Sequence, residues 1–486
     1  TTYGPLTPGV EPGDPFTPLL QAYAGDRIRL RVQVGAHEEE HNFTINGLKW
    51  LHDPFHASSG WRNSGPSGIS EYFDVDTPIV PDLSTGQSAK TVDYRYAMGA
   101  QTEDLWNGIW GLLRSYGKPQ TFLRPLPNNL MPAGGWTISN LNEFSQACPK
   151  QKNGAAVGIR RYKVTAVRAM DVLHKTFGGP GLVDGLVYNS RTGPLGLGPL
   201  VDPTALMYVR TDDLVRDPVT GKPTGLRPGT PIDPLVLRAS AGECIKVDLE
   251  NALPEQDATK PGSTATPDLP GFNALPPIIQ KQQLTDPISG GPGYVTFNAN
   301  DIRPSSLVGL HPQLVAADIR KSDGFDAGNG NSGNLVAPGQ SKQYTWYAGS
   351  LSSVPDGAGK VRIVADSVEF GASNLMPADA IKGSNKGLVG ALVIEPPGAT
   401  WVVDPTSHAA ATISFPDGTA AKSFREFVTV LQDDVNLRYG GKGSACLTAA
   451  TLDCAVGNVL DAGGRGFPDD AQDSGQKGIN YGSEPA

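Results

Sequence analysis

The chain has 486 residues, with 40 Lys and Arg against 49 Asp and Glu, for a formal net charge of -9. That balance argues against a nucleic-acid backbone as partner, which needs clustered cations. No run of eighteen or more apolar residues is present to form a transmembrane segment. The length predicts two or three domains. With 59 Gly, 42 Pro and no sustained 3.6-residue apolar period, the composition predicts an all-β protein with long loops.

The first clear element follows the small-residue turn in AYAGDRIRL, from Ala22 to Leu30. Ile28, Leu30, Val32 and Val34 alternate with Arg27, Arg29, Arg31 and Gln33, the period of a half-buried strand, and Gly35 ends it. Next comes HEEEHNFTINGLKW, residues 37 to 50. His37, Glu38 and His41 match HExxH, in which two histidines one helical turn apart bind zinc and the glutamate acts as base. That chemistry needs a helix, whereas Phe43, Thr44 and Ile45 continue as a strand. His37, His41, His52 and His56 are four of only seven histidines. They allow a single metal held by His37, His41 and a carboxylate such as Glu39 or Asp53. The competing expectation is a hydrogen-bonded core His41 among loop histidines. Trp50, Trp61, Trp106 and Trp110 could serve electron transfer or sugar stacking, but most are more simply core aromatics.

GIWGLL, Gly108 to Leu113, closes this first unit within the length of one β-sandwich. Residues 120 to 160 are rich in Pro, Asn and Gly and read as a crossing, after which RYKVTAV, residues 161 to 167, opens new strands. The opening frame then recurs as ASAGECIKV, Ala239 to Val247, and is answered by GLVGAL, Gly387 to Leu392. The chain therefore repeats a domain type. Segments 178 to 234 and 255 to 305, dominated by Gly, Pro, Asp and Thr, are expected to be long loops or inserted hairpins. A third strand run, Arg425 to Tyr439, looks like the start of a further domain, and the residues after Gly440 are too few to complete one. Either another polypeptide finishes that domain or the chain is a piece of a longer protein.

The acidic loops SDGFDAGNGNSGN, Ser322 to Asn334, and PDDAQDSG, Pro468 to Gly475, offer oxygen ligands that could suit calcium or manganese, without the spacing of an EF-hand. Cys446 and Cys454 bracket a short polar loop that a disulfide could close in an oxidising compartment, and this pairing is preferred over Cys148 with Cys244.

AGDRIRLRV, HNFTINGLKW and DLWNGIWGLLR, then LRASAGECIKVDLENALP, GLHPQLVAADIRKSDG, VAPGQSKQYTWYAGS and KGLVGALVIEPPGATW, with REFVTVLQDD and GINYGSEP, resemble the large bacterial multicopper oxidases that include manganese-oxidising enzymes. The resemblance implies tandem cupredoxin-like Greek-key β-sandwiches with long loop insertions, copper as cofactor, and an extracytoplasmic, secreted or periplasmic location. It also implies one-electron oxidation of a small-molecule or metal-ion substrate such as Mn(II), coupled to reduction of oxygen to water.

The family's HxxHxHG pattern maps onto HNFTING with His41 kept and Thr44 and Asn46 at the two cluster positions. Its HCHxxxHxxxG pattern, aligned to end on Gly108 and Ile109, falls on Met98, Gly99, Ala100 and Asp104, with no thiolate. His311 sits at one place of an HxH pair, with Gln313 at the other. The candidate metal residues are thus His41, His37 and His311, in a frame without a complete copper set. The division read from sequence is residues 1-125, a cupredoxin-like domain; 126-160, a linker; 161-400, a second domain with insertions; and 401-486, an incomplete third. The expected function is part or a subunit of a multicopper oxidase, supplying mainly structural domains, with copper on an additional chain or the rest of a longer polypeptide. The alternative is a non-enzymatic cupredoxin-like scaffold or binding protein without copper.

Overall fold

The computed structural model describes residues 8–35, 40–79, 91–98, 105, 108–129, 137–173, 185–191, 199–202, 205–254, 283–285, 292–294, 305–357, 359–380, 382–418, 420–433, 435, 437–439 and 477–483. These residues are all-β, with only single turns of helix. In the first sandwich, β1 (Leu20–Tyr23), β2 (Arg27–Gln33), β3 (His41–Ile45), β4 (Ser64–Ser67), β5 (Tyr72–Pro78), β6 (Val92–Met98) and β7 (Trp110–Tyr116) form a sheet of order β1-β7-β6-β3-β4 and the pair β2-β5. Val32 and Val75 from the pair meet Ala22, Phe43, Ile45, Val92 and Leu113 from the larger sheet in one core.

The second sandwich contains β8 (Ile159–Arg168), β9 (Leu206–Arg210), β10 (Leu235–Ser240), β11 (Cys244–Asn251), β12 (Leu310–Pro312), β13 (Ala316–Ala317), β14 (Ser341–Tyr347), β15 (Gly371–Pro377) and β16 (Gly390–Glu395). Its sheets run β9-β8-β11-β14-β13 and β10-β16-β15-β12. Both sandwiches show the cupredoxin-like arrangement, in which the strand that enters the repeated AG turn lies parallel to the strand that closes the sandwich: β1 on β7 and β10 on β16.

The repeated AG turn is what lets the chain change sheets after that parallel pair. Gly25 and Gly242 take φ of 84° and 91°, where a side chain would be strained. The same four hydrogen bonds then recur. Ala24 N donates to Tyr116 O (3.0 Å) and Ala241 N to Glu395 O (2.9 Å), while Gly25 N donates to Ile79 O (2.8 Å) and Gly242 N to Ala348 O (2.7 Å). Asp26 and Glu243 return from three residues on, accepting from Tyr23 N (2.8 Å) and Ser240 N (2.9 Å). The backbone N–H groups of Ile79 and Ala348 close each turn onto Asp26 O and Glu243 O, both at 2.9 Å. An acidic residue after AG is therefore the acceptor for the backbone N–H three residues before it.

β10 and β16 are buried along their whole length because both of their faces are covered. Leu235, Leu237, Leu392 and Ile394 face the sandwich core. Val236, Ala391 and Val393 face a second core with Val167, Met207, Val428, Val430, Val435, Leu437 and Tyr481. The run from Arg425 onward thus packs against the back of the second sandwich. It leaves a three-stranded meander of β17 (Thr400–Asp404), β18 (Ser407–Asp417) and β19 (Ala420–Phe427).

The observed disulfide joins Cys148 to Cys244, with Cα atoms 5.7 Å apart and a sequence separation of 96. This is the pair that spacing ranked second; Cys446 and Cys454 lie outside the described residues. The bond ties the crossing segment to the first residue of β11, beside the AG turn. Replacing both cysteines by serine is expected to lower stability by about 2–5 kcal/mol. Thermal unfolding of the oxidised protein against the double variant checks this, and an unchanged transition temperature would remove the disulfide from the fold's support.

Candidate metal positions and the seam between the sandwiches

Strand register sets the two histidine candidates on a common frame. Phe43 lies opposite Met98 in the first sandwich and Leu310 opposite Pro377 in the second. Val92, six residues before Met98, pairs with Ser115; Gly371, six before Pro377, pairs with Ile394. Ser115 and Ile394 each precede the residue that accepts from the AG turn. Thr44 therefore corresponds to His311, and Asn46 to Gln313. His41 has no histidine counterpart, since Val308 stands at its place.

His41 opens a strand, on the face that carries Phe43 and Ile45 into the core, and is 4% exposed. A strand at His41 rules out a helix-borne HExxH. His37 and Glu39 lie outside the described residues. His52 and His56 are exposed in the loop after Trp50, where His56 Nδ1 meets Ser58 Oγ at 3.2 Å and Asp53 Oδ1 accepts from Phe55 N at 2.9 Å. Among the described residues, no three His, Cys, Asp or Glu side chains come together to hold a metal ion. Trp50 is a core residue, 2% exposed and packed near Phe43.

The face of the first sheet that bears Thr44 and Asn46 also bears Asp93, Arg95 and Ala97, because Thr44 pairs with Ala97 and Asn46 N donates to Arg95 O at 2.9 Å. The second sandwich lays residues 318–334 across it. Ile319 enters the first core, and Gly47, with φ of 74°, leaves room where a Cβ would strike the Ile319 side chain. Asn329 and Asp93 exchange hydrogen bonds: Asp93 N donates to Asn329 O (2.8 Å), and Asn329 N donates to the Asp93 side-chain Oδ2 (2.7 Å). A Cβ on Gly328 would collide with the Asp93 carboxylate, so this close approach needs glycine.

Asp93 is neutralised by Arg114 across the strand pair, through Nε to Oδ1 at 2.9 Å and Nη2 to Oδ2 at 2.8 Å. Arg114 also grips Asp14 with two bonds, of 2.9 and 2.7 Å. Both Arg114 and Asp93 side chains are fully buried. Burial alone would lower the Arg114 pKa, but its hydrogen bonds to Asp93 and Asp14 outweigh it and raise the pKa.

Arg95 stands one turn of the pleat away, its guanidinium carbon 4.3 Å from the centre of the Phe325 ring. Burial pulls its pKa down to about 10, with Asp323 pulling the other way. Phe325 packs edge-on to His311 at 5.3 Å. His311, 2% exposed, has Nδ1 2.7 Å from Asp323 O and 3.1 Å from Asp323 Oδ1. The positions at which the resemblance places a copper cluster are thus replaced by a cation-aromatic-imidazole-carboxylate stack at the seam.

The donor set does not fit copper. Thr44 donates its hydroxyl to Asn63 O at 3.1 Å, and Gln313 Nε2 meets Met376 S at 3.2 Å. Asn46 Nδ2 and Arg95 Nε are buried donors without acceptors, directed to a face that a metal cation would share with a guanidinium. Nor does the acidic loop offer a calcium or manganese cage. Asp326 accepts from Gly333 N and Asn334 N, and Asp323 Oδ2 accepts from Asn331 Nδ2 at 2.9 Å, so N–H groups fill the oxygens a cation would use. Pro468 to Gly475 lies outside the described residues. Sequence reasoning missed Asp93, Arg114, Arg95 and Phe325, although the polar Asp93 and Arg95 within the strand VDYRYAM were a visible sign of a buried polar face. Asp93→Asn is expected to destabilise the protein by about 3–5 kcal/mol, by leaving Arg114 under-compensated; loss of less than about 1 kcal/mol in thermal unfolding would mean that water replaces the carboxylate.

No protein-family model and no curated protein matches the chain. A solved structure, the copper nitrite reductase from Nitrosomonas europaea, is similar at 10% identity with a TM-score of 0.20, over 82% of this chain and 87% of that one.

Proposed function

We propose that this chain supplies structural cupredoxin-like domains to an extracytoplasmic multicopper-oxidase-type assembly. In that assembly, one-electron oxidation of a small-molecule or metal-ion substrate such as Mn(II) and oxygen reduction to water are carried by copper on another chain or on the rest of a longer polypeptide. The observation that carries the structural part of this reading is the seam. Thr44, Asn46 and Gln313 stand where imidazoles are required, and Arg95, Phe325, His311 and Asp323 fill the face they border. The oxidase part rests on the resemblance of the sequence. The domains at 1-125 and 161-400, with 401-486 as the beginning of a third, are the units proposed to carry the scaffold.

The Cys148–Cys244 disulfide supports an oxidising compartment. No helix among the described residues is long and apolar enough to cross a membrane. A copper-free scaffold or binding protein is the second reading, favoured by the half-buried Arg95 cation over Phe325 at the seam.

Copper content by mass spectrometry and the visible spectrum separate these readings. The 486-residue chain alone is expected to hold less than one copper per molecule and show no blue band, while an assembly purified from its native source holds copper. Stoichiometric blue copper in the isolated chain would overturn the structural role, and a copper-free native assembly would overturn the oxidase.

A further inference from the structure

Two neighbouring N–H donors at the seam have no acceptor from the protein. Asn46 N donates to Arg95 O at 2.9 Å and so continues the antiparallel register that pairs Ile45 with Tyr96, which sets both side chains on one face of the sheet. Directly opposed residues of such a pair have Cβ atoms about 5 Å apart. Asn46 is 5% exposed and its Nδ2 has no partner; Arg95 is half-buried as a whole, but its Nε is buried and also without a partner. The second sandwich covers this face, with the Phe325 ring centre 4.3 Å from the guanidinium carbon. That ring attracts the cation but offers its N–H groups no lone pair. Leaving both donors dry is costly.

The carboxylates around Arg95 serve other donors. Asp93, on the same face, accepts from Arg114 Nε (2.9 Å), Arg114 Nη2 (2.8 Å) and Asn329 N (2.7 Å). Asp323, whose charge reaches Arg95, has Oδ1 3.1 Å from His311 Nδ1 and accepts at Oδ2 from Asn331 Nδ2 at 2.9 Å. Asp326 accepts from Gly333 N and Asn334 N. Burial lowers the Arg95 pKa in spite of Asp323, as expected of a cation short of counter-charge.

We propose that Arg95 Nε and Asn46 Nδ2 together hold a small monovalent anion of the halide class in the seam between the two sandwiches. Two N–H donors from neighbouring strands suit a compact acceptor of single charge. A phosphate or sulfate brings more oxygens and more charge than these two groups can meet. A water molecule suits them less well, because its own O–H groups need acceptors and the nearby carboxylate oxygens already serve other donors. The anion supplies the counter-charge that Arg95 lacks and adds a further tie between the first sheet and the loop that covers it.

The test is equilibrium unfolding of the full chain across a chloride titration at constant ionic strength, with gluconate as the replacing anion, for wild type and Asn46→Asp. In wild type the unfolding constant is expected to fall saturably, by about tenfold when chloride reaches ten times its dissociation constant. Asn46→Asp puts a carboxylate beside Arg95, so the chain supplies its own negative charge and the chloride dependence is expected to vanish. Crystals of the wild type grown in bromide are expected to show an anomalous peak in contact with Arg95 Nε and Asn46 Nδ2, and this arm needs no variant to fold. A water molecule or the Asn46 amide oxygen on Arg95 Nε in those crystals would overturn the proposal. Equal stability in chloride and gluconate overturns it as well, since a bromide peak without that effect marks an adventitious ion only. Chloride dependence unchanged in Asn46→Asp is the third contrary result, because it locates the anion elsewhere.

Discussion

A fully buried aspartate on a central strand is the constraint around which the two sandwiches are joined. Asp93 cannot be left unpaired in a dry interior, and Arg114 across the β6-β7 pair supplies the opposite charge. Arg114 in turn holds Asp14, so the N-terminal segment is drawn over the same face. The carboxylate still has capacity to accept, and it takes Asn329 N from the second sandwich. A strand pair, a terminal segment and the inter-sandwich loop thus converge on one carboxylate. Ile319 and Phe325 add the apolar contacts that make the junction a packed surface rather than a tether.

This junction gives a physical reason for the residues found at the positions where the sequence resemblance would place metal ligands. A cluster of imidazoles between two cupredoxin-like sheets needs neutral nitrogen donors aimed at a shared cation. Here the facing strands instead present a hydroxyl, two amides and a guanidinium, and the one histidine is engaged at Nδ1 by Asp323. Such a face is suited to holding two domains in register. Electron entry or oxygen binding in the proposed assembly would be served by residues elsewhere.

The frame was legible in the sequence because its causes are local. Alternation in Arg27–Gln33 follows from one buried face, and the recurrence of AG with an acidic residue follows from a turn that needs positive φ and a nearby acceptor. Pairing of GIWGLL and GLVGAL with those openings was readable as order along the chain. The seam was not, because Asp93 and Asn329 are 236 residues apart and nothing in either segment names the other. The acidic loop at 322–334 reads as a cation site by composition, yet backbone and amide N–H groups occupy its oxygens. Loop length favoured the cysteine pair at 446 and 454, whereas the pair at 148 and 244 is brought together by the crossing segment folding back on β11.

The Arg95 face and the loop around Phe325 are expected to form one energetically coupled seam. A double-mutant cycle of Arg95→Met and Phe325→Leu, read by equilibrium unfolding of the full chain, measures that coupling. A cation-aromatic contact between half-buried Arg95 and buried Phe325 predicts a coupling free energy of about 1 kcal/mol. Additivity of the two substitutions within about 0.5 kcal/mol would contradict it.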